Sequence, residues 1–448
     1  MSSSVALVSA VNPYPMDAGK KVMLAGILDY LIERVGRANV HYLMVGGDAP
    51  RRFPVALHSI PKPRPLSAIG SVLTRTGTRR ASLQEALLCT GEVRKAIYRT
   101  LEGLMPTTEI YDTVRMAQHA PKLSSTNQIC YLDDLFSERY GSMLLASERY
   151  PDVKIRPLGN FAAHVPQVLQ PLAEHPASQR RLLRLEQQLV RESEDRAAHR
   201  FDATLLISEQ EADRLRRRCG GVTVERVHAI PPLLPQRLPA RRDYRGAANF
   251  IFLGQLSLPH NDDGLRSFLS KVWPLVLAAR PDAQLRVVGR YPLPALTDLV
   301  AKYSESVTLE GFVPDLGELF SESAALINPL RFGSGVKIKI IEALCAGVPV
   351  ISTIAGADGV ASGPEEGVLV SDDDTEVVEL LTRTTNTRCN MHLSAAAREH
   401  FTVRYSRQAV FSCYDNAFGF SRKVVSPGSA VERLFDHATV APDVERIS

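Results

Sequence analysis

Short apolar runs alternate with helical patterns along most of this chain. In the second half, residues 250–256 and 307–313 are short runs in which apolar residues predominate, each followed by a helical stretch. Residues 5–10, 40–47 and 202–209 repeat this order in the first half. Strands that are apolar on both faces belong to parallel sheets covered by helices on either side. The pattern predicts an α/β protein with two doubly wound, Rossmann-like domains.

The length of the chain, 448 residues, exceeds what one hydrophobic core usually covers. Residues 224–246 are rich in Pro and Arg and have no helical period, which suits an interdomain linker. We therefore predict a first domain at 1–232, a linker at 233–247 and a second domain at 248–400, and we assign residues 401–448 to a C-terminal helix and a tail.

Composition excludes several classes of function. The formal net charge is only +4, which argues against a nucleic-acid partner and allows anionic ligands or lipid headgroups. The six cysteines are scattered without a C-x-x-C pair, so neither a zinc site nor a disulfide framework is expected. The N-terminus does not resemble a signal peptide. We expect a cytoplasmic protein, with peripheral contact at the inner membrane left open; the basic stretch 214–221 is one candidate for such contact.

In a doubly wound sheet, ligands bind beyond the carboxyl ends of the strands. The stretch from Arg331 to Glu342 follows such a strand, and Gly333 and Gly335 leave room for an anion before a helix begins. Lys339 lies three residues before Glu342, so the two side chains share a helix face. A cation beside an acceptor predicts a nucleotide-sugar site, with diphosphate on Lys339 or Arg331 and ribose on Glu342. A glycine turn with a surface salt bridge is the structural alternative.

A second loop, residues 12–21, follows the first strand and is expected to face the same cleft. Gly19 permits close backbone approach, and Lys20 and Lys21 add positive charge. A solvated basic loop is the alternative. The aspartates at 133–134 and 372–374 have no companion ligands for a metal, so we expect them to be solvated caps.

Residues 329–360 (PLRFGSGVKIKIIEALCAGVPVISTIAGADGV) resemble the C-terminal signature of the retaining family-4 (group 1) glycosyltransferases of GT-B fold. The resemblance extends over residues 5–420 and is closest to members that act in bacterial exopolysaccharide or capsule biosynthesis. The positions that carry the signature are Gly333, Gly335, Lys339, Glu342, Ala343, Gly347, Pro349, Val350, Gly356 and Gly359.

The resemblance implies two Rossmann-like domains that face each other across a cleft. It also implies transfer of a sugar, with retention, from a nucleotide-diphospho-sugar to a glycan or lipid-linked acceptor, without a metal or cofactor. The implied catalytic residues are Arg331, Lys339 and His119. The implied donor-binding residues are Gly19, Gly254, Asn261, Glu310, Gly311, Gly333, Ser334, Gly335, Val336 and Glu342. Asn261 is also a candidate N-cap of its helix, and a packing histidine is the alternative for His119.

Ser334 stands where many members of the family carry a glutamate, so the contact to the donor sugar and the identity of that sugar stay open. Two other classes of protein stay open as well. One is a GT-B-fold sugar-nucleotide epimerase or phosphorylase. The other is a catalytically silent partner in a polysaccharide assembly complex.

Overall fold

The computed structural model describes residues 3–16, 18–47, 52–122, 124–149, 176–221, 223–234, 244–333 and 335–420. These residues form two parallel sheets, each covered by helices on both faces. Within this part of the chain, no helix combines the length and the apolar character needed to cross a membrane.

The first sheet has seven strands in the order β3-β2-β1-β4-β5-β6-β7, and neighbouring strands run parallel. The strands are β1 Val5–Ser9, β2 Val40–Val45, β3 Ala56–Ile60, β4 Thr108–Asp112, β5 Asn127–Asp133, β6 Ala203–Leu206 and β7 Val227–Ala229. The strand order reverses between β1 and β4, which makes the carboxyl ends of these two strands the expected ligand-binding position.

The second sheet has six parallel strands in the order β10-β9-β8-β11-β12-β13. The strands are β8 Asn249–Leu253, β9 Gln284–Val288, β10 Val307–Gly311, β11 Ala325–Asn328, β12 Val350–Ser352 and β13 Val368–Val370. Here the order reverses between β8 and β11, so a ligand is expected where these two strands end.

Helices fill the connections between strands. In the first half they are α1 Gly19–Val35, α2 Pro65–Ser71, α3 Leu83–Leu88, α4 Gly91–Leu104, α5 Thr113–Ala117, α6 Phe136–Arg149, α7 Pro176–Arg200, α8 Glu209–Cys219 and α9 Thr223–Arg226. In the second half they are α10 Pro259–Lys271, α11 Trp273–Ala279, α12 Pro294–Ala301, α13 Gly317–Glu322, α14 Ile338–Ala346, α15 Asp374–Thr384, α16 Thr387–Arg404 and α17 Arg407–Phe418. A π-helical turn, Val72–Thr76, extends α2, and 3₁₀ turns lie at Arg37–Asn39 and Pro364–Glu366.

The last helix, α17, returns to the first sheet. Tyr414 stacks on Tyr30 of α1 with ring centroids 4.6 Å apart, and Phe411 meets the same ring edge-on. Arg34 donates to Asp415 at 2.7 Å beside this aromatic cluster. Buried aromatic pairs add stability beyond the area they bury. The C-terminal helix therefore belongs to the core of the first half of the fold.

The two doubly wound sheets confirm the predicted fold class, but several local predictions were wrong. The sequence of residues 111–116, YDTVRM, is typical of one strand, but only its first two residues belong to β4 and the others lie in α5. Val227–Ala229 lies in the Pro- and Arg-rich stretch 224–246 and forms an edge strand of the first sheet, because its N–H and C=O groups pair with β6. Asn261 is not an N-cap, since α10 begins earlier, at Pro259. Lys337 occupies the N-cap position of α14, and its side chain makes no capping hydrogen bond.

Glycines allow α10 to approach the end of β11 closely. A Cβ atom on Gly264 would lie 2.5 Å from the carbonyl oxygen of Pro329, closer than any real contact. This contact brings α10 against the residues that follow β11, which is where the sheet reverses. The same surface of α10 carries Asn261 and Asp263.

We predict that Gly264→Ala lowers the stability of the protein by about 1–3 kcal/mol, because the added methyl group forces the backbone apart at this contact. The matched control is Gly103→Ala, at a helical position where a Cβ atom meets nothing within 4 Å. Thermal unfolding followed by circular dichroism measures both variants. Equal melting temperatures for the two would show that this close approach is unimportant.

Candidate functional site

The ammonium group of Lys339 lies where β8 and β11 end. Its Nζ donates to Oδ1 of Asn261 at 3.0 Å and lies 4.4 Å from the centroid of the Phe252 ring. Asn261 in turn donates through Nδ2 to the carbonyl oxygen of Gln255 at 2.9 Å. One side chain therefore fixes the lysine to the loop that follows β8.

Gly254 makes this arrangement possible. Its φ is +157° and a Cβ atom there would lie 2.7 Å from Nδ2 of Asn261, so any larger residue would displace the amide. Gly254, Asn261 and Lys339 were predicted as site residues from separate parts of the sequence. The structure brings all three together.

Burial perturbs the charged groups of α14. Desolvation, together with the nearby charge of Lys337, lowers the pKa of Lys339 to about 7, while the charge of Glu342 opposes the shift. Desolvation also lowers the pKa of Lys337 to about 8 and raises that of Glu342 to about 7. Lys337, at the start of the same helix, adds a second positive charge that acts on Lys339. Because burial and this like charge both disfavour the ammonium form of Lys339, an anion placed beside it is stabilising.

Arg331 was predicted to bind diphosphate, and the structure places it beside the same pocket. Its guanidinium forms a two-pronged ion pair with Asp263 of α10, with Nε donating to Oδ2 at 2.8 Å. Such a pair fixes the guanidinium plane and neutralises part of its charge. The ion pair thus fixes the orientation of Arg331. Lys339 is bonded to the neutral amide of Asn261 instead, so its positive charge is less neutralised than that of Arg331.

Residues of the first domain approach the start of α14 closely. A Cβ atom on Gly19 would lie 3.5 Å from Cγ1 of Ile338, the first residue of the helix. A Cβ atom on Gly335 would lie 3.7 Å from Oδ2 of Asp134, and one on Gly359 would lie 3.2 Å from Oγ of Ser208. The loops of the two halves therefore meet at the predicted cleft.

The first domain contributes a buried polar network at its own reversal point. Lys20, at the start of α1, forms an ion pair with Asp112 at 2.5 Å and lies 3.5 Å from an oxygen of Asp133. Ser9 donates to the other oxygen of Asp112 at 2.6 Å, and Tyr131 donates to Asp133 at 2.5 Å. These five groups follow or end β1, β4 and β5. They combine hydroxyl, carboxylate and ammonium groups, and Lys20 directly follows Gly19, which contacts Ile338.

The expectation that Asp133 and Asp134 are solvated caps was wrong. Both are buried, Asp134 pairs with Arg139, and burial raises the pKa of Asp134. The expectation holds for the other acidic run, where Asp373 caps α15 by accepting from the N–H of Glu376 at 2.9 Å.

Some predicted residues lie apart from this pocket or have other partners. His119 is completely buried, its Nε2 contacts the carbonyl oxygen of Leu88 at 3.1 Å, and desolvation lowers its pKa to about 4. Glu310 pairs with Arg286 of the neighbouring strand, and Gly311 ends β10. The burial and the backbone contact of His119 are those of a packing residue, whereas the roles of Glu310 and Gly311 stay predictions. Ser334 lies outside the described residues.

The amides of the glycine turn are arranged differently from the expectation. The N–H of Gly335 donates to Oδ2 of Asp358 at 3.2 Å, and Lys337 Nζ donates to the carbonyl oxygen of Gly335 at 2.6 Å. Gly333 lies within 3.9 Å of the same lysine, measured from its would-be Cβ atom. Val336 packs against Gly359. The turn is therefore tied to the pocket by side chains of the second domain.

Sequence reasoning missed His260 and Asp358. Desolvation lowers the pKa of His260 to about 3, with Lys339 and Lys337 as the next causes, so the ring is neutral beside the two ammonium groups. Asp358 binds the Gly335 amide and lies 3.9 Å from Arg214 of the first domain. His260 directly precedes Asn261 in the sequence, and this position next to a predicted site residue could have indicated it.

The second half of the chain matches a family of known enzymes. Residues 247–386 match the model described as glycosyl transferases group 1. The match spans less than half of the chain, and it shows that this segment is similar to that family. The match includes Gly254, Asn261, Arg331, Lys339 and Glu342, so the residues of the pocket described above lie within the matched segment.

A curated relative and several solved structures resemble larger parts of the chain. The relative is an uncharacterized 44.6 kDa protein in the cps region of Klebsiella pneumoniae, 28% identical over 182 residues. That match spans 39% of this chain and 45% of the relative, less than half of its length.

Three solved structures share the GT-B fold of this chain. A sucrose-phosphate synthase from Thermosynechococcus elongatus has a TM-score of 0.62 at 14% identity, covering 94% of this chain and 100% of that one. HepE from Anabaena, in complex with UDP, has a TM-score of 0.58 at 12% identity, covering 93% and 99%. WaaG, a glycosyltransferase involved in lipopolysaccharide biosynthesis, has a TM-score of 0.54 at 14% identity, covering 93% and 100%.

Proposed function

We propose that this chain is a glycosyltransferase of surface polysaccharide biosynthesis. In this proposal the second domain binds a nucleotide-diphospho-sugar and the first domain binds a glycan or lipid-linked acceptor. The observation that carries the proposal is the Lys339–Asn261–Gly254 arrangement at the reversal point of the second sheet. The group 1 match, the UDP complex of HepE and the cps-region relative support it.

In the proposed reaction, Lys339 and Lys337 stabilise the diphosphate that leaves as the glycosidic bond to the donor breaks. Negative charge grows on this group in the transition state, and fixed positive charge in a partly dry pocket stabilises it strongly. Ligand binding also offsets the mutual repulsion of the two ammonium groups. We propose that these lysines supply the positive charge for the leaving group without a metal ion.

Arg331 and Glu342 have supporting roles in the proposal. Asp263 holds Arg331 in one orientation beside the pocket, so we assign it to positioning the diphosphate rather than to carrying most of the charge. Glu342 lies on the same helix face as Lys339 and accepts hydrogen bonds from ribose hydroxyl groups when it is ionised.

The acceptor is proposed to bind at the network of Lys20, Asp112 and Asp133. This network lies at the reversal point of the first sheet and faces the start of α14 through Gly19. Carboxylate oxygens accept hydrogen bonds from sugar hydroxyls and orient them. In a retaining transfer, the proton of the attacking hydroxyl passes to the departing diphosphate on the same face of the sugar.

We predict that Lys339→Met lowers kcat/KM for the donor by about 10²–10³-fold, the loss typical of removing one group that stabilises the developing anion. The control is Lys302→Met, a lysine at the exposed end of α12. Release of nucleoside diphosphate from a panel of sugar nucleotides with lipid-linked acceptors measures the activity. Unchanged activity in Lys339→Met would disprove the assignment of the diphosphate site.

The same assay separates the alternatives. A silent partner binds nucleoside diphosphate and turns over none of the sugar nucleotides. An epimerase changes the sugar without releasing nucleotide, and a phosphorylase requires free phosphate.

The pKa values predict a narrow pH optimum near 7 for kcat/KM, which reports the free enzyme. Activity falls below pH 7 as Glu342 is protonated, and it falls above pH 7 as Lys339 loses its proton. Because arginine stays protonated throughout this range, Lys339→Arg moves the alkaline limb up toward the pKa of Lys337, about 8. Glu342→Gln removes the acidic limb. A flat profile between pH 6 and 9 would contradict the proposed roles.

A further inference from the structure

The charged side chains of residues 51–84 are all positive. These residues contain seven cations and no acidic residue, whereas the whole chain has 53 cations and 49 anions. The cations are Arg51, Arg52, Lys62, Arg64, Arg75, Arg79 and Arg80. An exposed run of one sign attracts a surface of the opposite sign.

An apolar strip accompanies these charges. Leu66 is 85% exposed and Leu73 is 69% exposed, and the two lie seven positions apart, close to the same face of α2 and its π-helical extension. Gly70 is exposed between them, while Ala68 and Ser71 turn inward. The segment thus exposes two large aliphatic side chains to solvent, while the opposite face of the helix packs against the protein.

The cations flank the strip at both ends. Lys62 and Arg64 precede α2, and Arg79 and Arg80 follow the π-helical turn; all four are exposed. Arg64 also lies 3.3 Å from Glu92 in a surface pair. Arg75 is directed inward instead, with Nη1 2.6 Å from the sulfur of Cys89.

The segment begins at the edge of the first sheet that carries the proposed acceptor site. It follows the carboxyl end of β3, where the N–H of Gly46 donates to the carbonyl oxygen of Ile60 at 2.9 Å. Lys62 lies against Gly46, at the carboxyl end of β2. The carboxyl ends of β4 and β5, which carry Asp112 and Asp133, lie three and four strands away from β3 in the same sheet.

We propose that residues 62–80 dock the protein on an anionic lipid bilayer, with Leu66 and Leu73 among the headgroups and the four exposed cations against lipid phosphates. A helix with exposed aliphatic residues and flanking cations suits a lipid interface. A nucleic acid would use the cations and leave the leucines without partners.

The basic stretch 214–221 is a poorer candidate for this contact. Arg216 pairs with Glu209 and Asp213, and Arg218 pairs with Glu194 and Asp195. Docking through residues 62–80 does not depend on the proposed transfer reaction. Its consequence, that the acceptor edge faces lipid-borne sugars, rests on the proposed function.

The test is co-sedimentation of the full chain with vesicles of phosphatidylcholine alone or with about one-third phosphatidylglycerol. We expect binding to the anionic vesicles only, weakened by high salt. Leu66→Gln with Leu73→Gln, and Arg79→Gln with Arg80→Gln, are each expected to weaken binding roughly tenfold or more, since each surface cation or inserted side chain contributes several-fold.

The matched controls lie on α16 of the second domain. Met391→Gln with Val403→Gln removes two apolar side chains that are each 58% exposed, and Arg388→Gln with Arg404→Gln removes two exposed cations. Both controls are expected to bind vesicles as the unmodified chain does. Nucleoside diphosphate binding, measured in parallel, is expected to stay unchanged in every one of these variants, which separates this test from that of the proposed function.

Three results would overturn the proposal. The first is the absence of binding to anionic vesicles by the unmodified chain. The second is an equal loss of binding in the control variants. The third is full binding by the leucine variant, which would show that the contact is purely electrostatic and that the leucines do not insert among the headgroups.

Discussion

A partly desolvated ammonium group at the reversal point of the second sheet is the interaction on which the account depends. Lys339 is held by Asn261, which is held by the loop after β8, and Gly254 leaves the space that the amide fills. Burial and the neighbouring Lys337 make the cation unstable without a counter-ion, because both lower its pKa. The pocket therefore favours an anion, and a diphosphate on a sugar nucleotide supplies two negative charges where the helix α14 begins.

The first domain adds a complementary surface rather than a second anion site. Its network of Lys20, Asp112 and Asp133 is internally neutralised to a large extent, so it is suited to neutral hydroxyl groups. Close contacts at Gly19 and Gly359 bring this network to the donor side. Two other glycines of residues 329–360 have local structural roles. Gly356 packs against Asn328 and Ser352, and Gly347 ends α14 in a left-handed conformation.

The sequence predicted the two doubly wound sheets because fully buried parallel strands are apolar throughout. The family resemblance implied Gly254 and Asn261 as donor-site residues, and the glycine turn before a helix indicated Lys339, while the contact of Asn261 with Lys339 depends on tertiary packing. The sequence did not predict the partner of Arg331, since Asp263 is 68 positions away and only tertiary packing joins them. The buried Asp133 and Asp134 were misread for a similar reason: a polar pair at a strand end reads as solvated unless a second domain covers it. The β3 and β7 edge strands are short and mixed in polarity, so periodicity did not reveal them.

A crystal structure of the protein with a bound nucleoside diphosphate tests the central claim most directly. The account predicts that the terminal phosphate oxygens lie within hydrogen-bonding distance of Nζ of Lys339, with Lys337 nearby and the ribose toward Glu342. Density for the diphosphate elsewhere, with Lys339 still bonded to Asn261 and no phosphate within reach, would contradict it.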